Sequence, residues 1–298
     1  MKAEYYRRSL GSKIFDVLNT IFMVFLIIIM LYPFLNQLAI SFNDSADAVR
    51  GGIYLWPRKF SLDAYKFIFQ QKTLVRASFI SIARVLVGTA TSVLGTALLA
   101  YIITIKGFSG RKFMRRLFVI TMYLNGGLIP FYLLMVKLHL INTFTIYWLP
   151  SIFSAYNMLV IAAYMQEIPV ALSESARIDG AGELKIFWKI MLPICIPVIA
   201  AMCVFNGVGH WNDWFTSVVY NPSGKWDTLQ VYLRKVLLET EALEKIRDQQ
   251  LAATQYATLT PKTVQAAITM VVTLPIAMIY PFFQKYFISG MTIGAVKE

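Results

Sequence analysis

The chain has 298 residues, 57% of them apolar and only 15% charged, where a soluble globular protein has roughly 45–50% and 25%. A single water-facing core of this size cannot hide that surplus, so the composition points to a bilayer and excludes disordered, collagen-like and disulfide-stapled classes. The net charge of +12 gathers beside the apolar runs, as expected for loops meeting anionic lipid, and no nucleic-acid partner is implied.

Six apolar stretches of roughly membrane-crossing length are predicted, at 14–40, 78–104, 113–136, 144–165, 193–219 and 264–288. They make the fold class all-α, a polytopic membrane protein with a single transmembrane domain over 1–298. The first stretch follows Lys2, Arg7, Arg8 and Lys13 and precedes the signal-like Ala46-Asp47-Ala48. Its apolar core from Ile21 to Leu35, extended by flanking turns, outlasts a normal signal core, so it is read as an uncleaved helix. In the segment 41–77, Leu62, Tyr65 and Phe67-Ile68-Phe69 predict an amphipathic surface helix.

The second span carries Arg84, a costly charge that either lines a polar cavity or snorkels to the interface. It also carries the small residues Gly88, Thr89, Ala90, Ser92, Gly95, Thr96 and Ala97, which permit close helix packing, including against another subunit. The loop that follows holds Lys106, Arg111, Lys112, Arg115 and Arg116 without an acid. With the basic N-terminus it predicts that both termini are cytoplasmic and that 41–77 and 220–263 face outward.

Between the fourth and fifth spans, the loop 167–193 is unlike ordinary connecting sequence. Pro169 suits the first turn of a helix that ends at Asp179, and Gly180 and Gly182 are expected to supply positive φ for a reversal. A second helix, Glu183 to Leu192, then runs to Pro193. The first helix offers the small residues Ala171, Ser173, Ser175 and Ala176, with Glu174 and Arg177 one turn apart to pair with each other or with a partner.

The fifth span holds both cysteines, Cys195 and Cys203, about 12 Å apart along a helix and too far for a bridge. Asp213 is expected in its outer half, about 30 Å along the helix from Pro193. Trp211 and Trp214 lie on one face around it, beside Asn212. The cluster reads as an interfacial aromatic belt or as a surface touching a passing sugar, with rings stacking on apolar sugar faces and the carboxylate or amide bonding hydroxyls. In the second case Asp213→Asn would change substrate handling more than assembly. His210 and Asp213 are one turn apart, but His139 is the only other histidine, so no metal site is expected. No Ser-His-Asp or paired-carboxylate arrangement appears, and no catalytic residues are assigned. Beyond this span, Leu229, Tyr232, Leu233, Val236 and Leu237 predict a helix within 228–253.

Glu174-Ser175-Ala176, then Gly180, then Ile190-Met191-Leu192-Pro193 resembles the signature loop of bacterial ABC importer permeases, Glu-Ala-Ala, three residues, Gly, nine residues, Ile-x-Leu-Pro. Ser175 departs from the usual alanine by a small-for-small change. The tail from Tyr280-Pro281-Phe282-Phe283 to Gly294-Ala295-Val296-Lys297 is similar to the carbohydrate-importing permeases related to the second maltose permease subunit. Asn125-Gly126-Gly127-Leu128-Ile129-Pro130 resembles the branch that imports complex oligosaccharides, some with uronic acids.

The resemblance implies a subunit of the bacterial inner membrane working by alternating access, with Ala171, Ser173, Glu174, Ser175, Ala176, Arg177, Asp179, Gly180, Leu192 and Pro193 coupling it to ATPase subunits. It also implies that the tail residues Gly294 and Lys297 reach the ATPase pair. The implied partners are a second, different permease, two ATPase subunits, a periplasmic or extracellular sugar-binding protein and an oligosaccharide. The chain has no phosphate-binding Gly-x-x-x-x-Gly-Lys-[Ser/Thr] loop, so ATP and magnesium are expected on the partner and no cofactor on this chain. The sequence leaves as rivals an ion-coupled secondary transporter, which would want buried acids on broken helices, and a membrane protein with a purely structural role.

Overall fold

The computed structural model describes residues 10–124, 126–249 and 261–293, with the side chains of 240–249, 280 and 282–293 outside the description. Regular structure among the described residues is helical, with an isolated antiparallel bridge between Asn43 and Phe60. In chain order the helices are α1 (Leu10–Ser41), α2 (Ser45–Ala48), α3 (Asp63–Gln70), α4 (Lys72–Thr104), α5 (Arg111–Tyr123), α6 (Leu128–Lys137) and α7 (Ala155–Gln166). They continue as α8 (Val170–Ile178), α9 (Glu183–Ile186), α10 (Leu192–Ile194), α11 (Ile196–Asn212), α12 (Phe215–Tyr220), α13 (Leu229–Gln249) and α14 (Pro261–Ile293). Two 3₁₀ turns (Phe144–Tyr147 and Leu149–Ser151) precede α7, and a π-helical turn (Phe187–Met191) joins α9 to α10.

Three of the predicted spans are single helices long and apolar enough to cross a membrane: Leu10–Ser41, Lys72–Thr104 and the Pro261–Ile279 part of α14. The other three reach that length only as bent pairs. Arg111–Tyr123 with Leu128–Lys137 bends by 120°, Phe144–Ser151 with Ala155–Gln166 by 47°, and Glu183–Ile194 with Ile196–Asn212 by 81°. A hydropathy window sees the apolar sum of each pair and not the break. Pro197 supplies a cause for the last one, because its ring has no N–H for the Pro193 carbonyl and crowds it.

The contacts divide the chain into two compact units. The first comprises Met1–Gln71 and Val236–Val272. Within it α1 presents Phe22, Ile28 and Met30 outward, each more than half exposed, on a helix long and apolar enough to cross a membrane. Its C-terminal end turns inward, with Ala39 and Ile40 packed on Ala48, Ile53 and Ala266. The loop after it is ordered by side-chain bonds: Asn36 Nδ2 donates to the Ile53 carbonyl at 2.8 Å, and the Ser41 and Tyr65 hydroxyls meet at 2.8 Å. Asp44 caps α2, and Ser45 bonds the Thr263 hydroxyl at 2.7 Å in a buried contact. The predicted surface helix is α3, one residue later than its first apolar position, since Leu62 is the N-cap.

The second unit, Lys72–Lys235 with Thr273–Glu298, is built around α4. Its core joins Val93, Ala97, Ala100 and Tyr101 of α4 to Met158, Ile161 and Met165 of α7 and to Phe187, Met191, Cys195 and Met202. Both cysteines are free thiols packed there. Gly88, Ser92, Gly95, Thr96 and Ala97 of α4 are used inside this unit, whereas Ala90 is exposed. Gly88 faces the His210 ring so closely that a Cβ would sit 2.6 Å from Nε2, and at Gly95 it would sit 2.8 Å from Ile152 Cγ2. Ser92 bonds Asn206 at 3.2 Å, and Thr96 both donates to the Ile152 carbonyl and accepts from the Ser154 N–H.

Gly88→Ala is therefore expected to cost about 1–3 kcal/mol through overpacking. Thermal unfolding in detergent checks this, and adding His210→Ala should recover most of the loss by removing the ring.

Candidate functional site

Two regions of the second unit carry the sequence-selected residues: the 167–193 loop and the break between α11 and α12. In the loop, α8 starts at Val170, so that Pro169 is its N-cap rather than part of its first turn, and it ends at Ile178 with Asp179 as C-cap. Gly180 takes φ +78°, its N–H bonding the Arg177 carbonyl at 3.0 Å while Ala181 N–H bonds the Ala176 carbonyl at 2.9 Å. This pair of bonds is the Schellman arrangement, which favours glycine at that position. Gly182 does not share the conformation: at φ −70°, ψ 159° it is extended and caps α9, so the reversal uses one positive φ rather than two.

The second loop helix also differs from expectation. It runs α9, π turn and α10 without a stop at Leu192 or Pro193, and the 81° bend falls at Cys195. Pro193 removes the N–H that would bond the Lys189 carbonyl, and the π turn just before it absorbs that loss. Pro193 is thus inside a helical segment and does not end it.

No residue of α8 is buried. Ala171, Glu174, Ser175, Arg177 and Asp179 are exposed, whereas Ser173 and Ala176 are half-buried on the inner side. Ile178, which the sequence reading passed over, is 86% exposed, and Leu184 beyond the turn is also exposed. An exposed apolar residue next to a glycine turn is the signal that would have found it.

Arg177 does not pair with Glu174. Its Nε donates to Glu183 Oε1 at 2.8 Å and its second guanidinium nitrogen to Oε2 at 3.3 Å. The reason is the Gly180 turn, which folds the start of α9 back beside α8. Tyr101 of α4 donates its hydroxyl to the same Glu183 Oε2 at 2.5 Å. Glu183 thus accepts from both Arg177 and Tyr101 at the start of the bent pair Glu183–Ile194 with Ile196–Asn212. Tyr101, Lys106, Pro169, Glu174, Arg177 and Met191 are among the residues lining a cleft of about 390 Å³ behind α8.

At the second region α11 ends at Asn212 and Asp213 takes an extended conformation before α12. The break turns the Asp213 carboxylate onto Arg84, 129 residues away, which donates to both the carboxylate and, at 2.6 Å, the Asp213 carbonyl. Arg84 is 2% exposed, so the snorkelling alternative does not hold. Thr216 donates its N–H to Asp213 Oδ1 at 3.0 Å and its hydroxyl to Oδ2 at 2.5 Å, which caps α12. The guanidinium lies 4.5 Å from the Tyr147 ring centroid, and the Tyr147 hydroxyl donates to the Trp226 carbonyl at 2.6 Å.

Arg84 and Asp213 line a cavity of about 430 Å³ together with Tyr147, Asn206, His210 and several phenylalanines. Trp211, Asn212 and Trp214 do not. The helix ends between Trp211 and Trp214, so they share no helical face; Asn212 accepts from Gln230 at 3.1 Å, and Trp214 packs under the Arg234 guanidinium at 3.8 Å. Asn206 was legible as an amide inside an apolar stretch. Nothing local marked Tyr147. Gly126, Gly127, Leu128 and Pro130 of the second resemblance line a neighbouring apolar cavity of about 530 Å³; Asn125, Gly294 and Lys297 lie outside the described residues.

Comparison with known proteins bears on both regions. The family described as "Binding-protein-dependent transport system inner membrane component" matches residues 93–293. The chain is 37% identical over 288 residues to protein LplC of Bacillus subtilis (strain 168), covering 96% of each. It is 33% identical over 287 residues to the polygalacturonan/rhamnogalacturonan transport system permease protein YtcP of the same strain, covering 96% of this chain and 99% of that one. The crystal structure of a bacterial ABC transporter involved in the import of the acidic polysaccharide alginate superposes with a TM-score of 0.85 at 26% identity, covering 94% of this chain and 99% of that chain. These matches do not favour the ion-coupled alternative. With its apolar helices and a match across the α8 loop, the chain is membrane-embedded and belongs to the binding-protein-dependent transport system inner membrane component family.

Proposed function

We propose that this chain is a permease subunit of an ATP-driven importer of oligosaccharides, uronate-bearing ones among them. The observation that carries the sugar assignment is end-to-end similarity to a permease named for polygalacturonan and rhamnogalacturonan transport, alongside an alginate importer of the same fold. All of 1–298 acts as one permease domain of six spans, each bent pair counting once. The chain crosses the membrane with both termini in the cytoplasm. It pairs with a different permease and receives sugar from a binding protein on the outer segments. α8 docks on an ATPase subunit through Ala171, Glu174, Ser175 and Ile178, and Gly294 and Lys297 extend the tail toward the ATPase pair. ATP and magnesium stay on those partners.

The cavity beside Arg84 suits sugar better than free ions: aromatic rings stack on apolar sugar faces, and Asn206 and Ser151 offer groups for hydroxyls. Its buried cation is already neutralised by Asp213, so in this reading a uronate carboxylate is recognised mainly by other subunits. Trp211, Asn212 and Trp214 belong to the interfacial belt.

Purification of the tagged chain from its native membrane in mild detergent, with mass spectrometry of what co-purifies, tests the assembly. An ATPase and a second permease are expected, both reduced by Ile178→Asp. Uptake of labelled oligogalacturonides and of neutral oligosaccharides of equal length, with and without the gene, tests the substrate. Recovery of the chain alone, moving solute without ATP, would refute the reading.

A further inference from the structure

α8 has a mechanical difficulty that its geometry exposes. A nine-residue helix with no buried side chain, packed on the core through the half-buried Ala176, has little packing of its own through which to pass a displacement to the membrane. Its backbone leaves through Pro169 at one end and the Gly180 turn at the other, and both are junctions about which a short helix can pivot. The half-buried edge at Ser173 and Ala176 gives little area to resist that.

The segment after the turn is different. Ile186 and Phe187 are 0% and 1% exposed, and the Phe187 ring lies 5.5 Å from that of Tyr101, itself only 4% exposed. α9 and the π turn are therefore seated on α4, and what remains is a link from α8 to that seat. Among the described residues, side-chain hydrogen bonds supply it at one place. Arg177, projecting from α8, grips both oxygens of Glu183 at the start of α9, and Tyr101 donates from the last turn of α4 to one of those oxygens.

We infer that Tyr101 is a positioning residue for energy coupling, its hydroxyl fastening the Arg177–Glu183 pair to α4 so that movement of α8 rotates the second span instead of being lost at the Gly180 turn. This rests on reading α8 as the ATPase-docking helix. The Arg177–Glu183 pair is partly exposed and contributes little to stability in itself. Its role is geometric: two guanidinium bonds fix the angle between α8 and α9, and the Tyr101 bond fixes that assembly to α4. α4 carries Arg84 and Gly88 along the same rigid helix, so its rotation reaches the wall of the 430 Å³ cavity.

The test uses the assembled transporter with its co-purifying partners in proteoliposomes. Sugar accumulated per ATP hydrolysed is measured with whichever labelled oligosaccharide of the uptake panel wild type accumulates. Tyr101→Phe keeps the ring against Phe187 and removes only the hydroxyl. It is expected to leave the yield and thermal stability of the complex and its ATP hydrolysis near wild type. Transport per ATP should fall about tenfold, the size of one hydrogen bond to a charged group. Glu183→Gln, which keeps an acceptor for Tyr101 but loses the charge facing Arg177, should show a smaller fall in the same ratio.

An unchanged ratio in Tyr101→Phe overturns the inference, as does a matched loss of complex and transport, which a purely structural role would give. Failure of the underlying reading looks different, because the ATPase would then still co-purify with Ile178→Asp.

Discussion

Asp213→Ala should unfold a large fraction of the protein or sharply lower its thermal midpoint, at a cost of about 3–5 kcal/mol. Arg84 is 2% exposed and its charge faces the Asp213 carboxylate; removing that partner leaves a cation buried among Tyr147 and apolar side chains. The Thr216 capping bonds go as well, and the start of α12 with them. The double variant Arg84→Met with Asp213→Leu removes both charges and should lie closer to wild type than Asp213→Ala alone. That non-additive pattern separates a charge-pairing role from a simple cavity.

Asp213→Asn keeps the shape and the acceptor for the Thr216 N–H but loses the charge, and is expected to fall between. The sequence alone suggested that this change would alter substrate handling more than assembly; the contacts reverse that order, because both carboxylate oxygens are engaged within the protein. Thermal unfolding in detergent and recovery of the assembled complex are the measurements. Unaltered stability with altered uptake would return Asp213 to the substrate pathway.

The second large effect is expected at Gly180. Its φ of +78° is open to glycine, tolerable for asparagine and strained for a β-branched residue. A Cβ there would meet nothing within 4 Å, so the whole effect comes from the backbone and none from a clash. The strain, at least about 1–2 kcal/mol, falls on one turn and leaves the spans untouched. Gly180→Val should therefore leave a protein that inserts and binds the second permease, while the α8–α9 angle is lost and ATP hydrolysis no longer drives uptake. Uptake should decline in the order Gly, Asn, Ala, Val. Wild-type transport by the valine variant, with ATPase still bound, would sink the coupling role of the turn.

The loop was legible because its signals are local. A proline before a helix, a glycine two residues after its last turn and a fixed spacing to Leu192-Pro193 are all set by neighbours in sequence, and the structure places α8 within one residue of that reading. Arg177 shows where locality ends. Glu174 is the nearer acid along the chain, but the turn at Gly180 brings Glu183 onto the guanidinium, and the direction of that fold cannot be read from i, i+3 spacing. Gly182 is expected with Gly180 to take a positive φ but is extended, since one left-handed residue completes the reversal. The bends were not read from the sequence, although residues that mark two of them stand in it. Gly126-Gly127 punctuates the third apolar stretch and Pro197 the fifth, yet a hydropathy sum passes over both.

By itself the sequence determined that this chain is helical and membrane-embedded, roughly where its apolar stretches lie and which loop carries the family's spacing. Hydropathy and turn chemistry act over a few residues and leave their record in order along the chain. Only the tertiary structure decided which of Arg84, Trp211, Asn212, Asp213 and Trp214 meet. The choice depends on the break after Asn212, which takes Asp213 out of the α11 helix while Trp211 and Trp214 fall on either side, and on α4 lying against α11 through Gly88. An ion pair between residues 129 apart is selected by the low dielectric of the packed interior, where a lone charge is costly and any reachable partner of opposite sign is favoured.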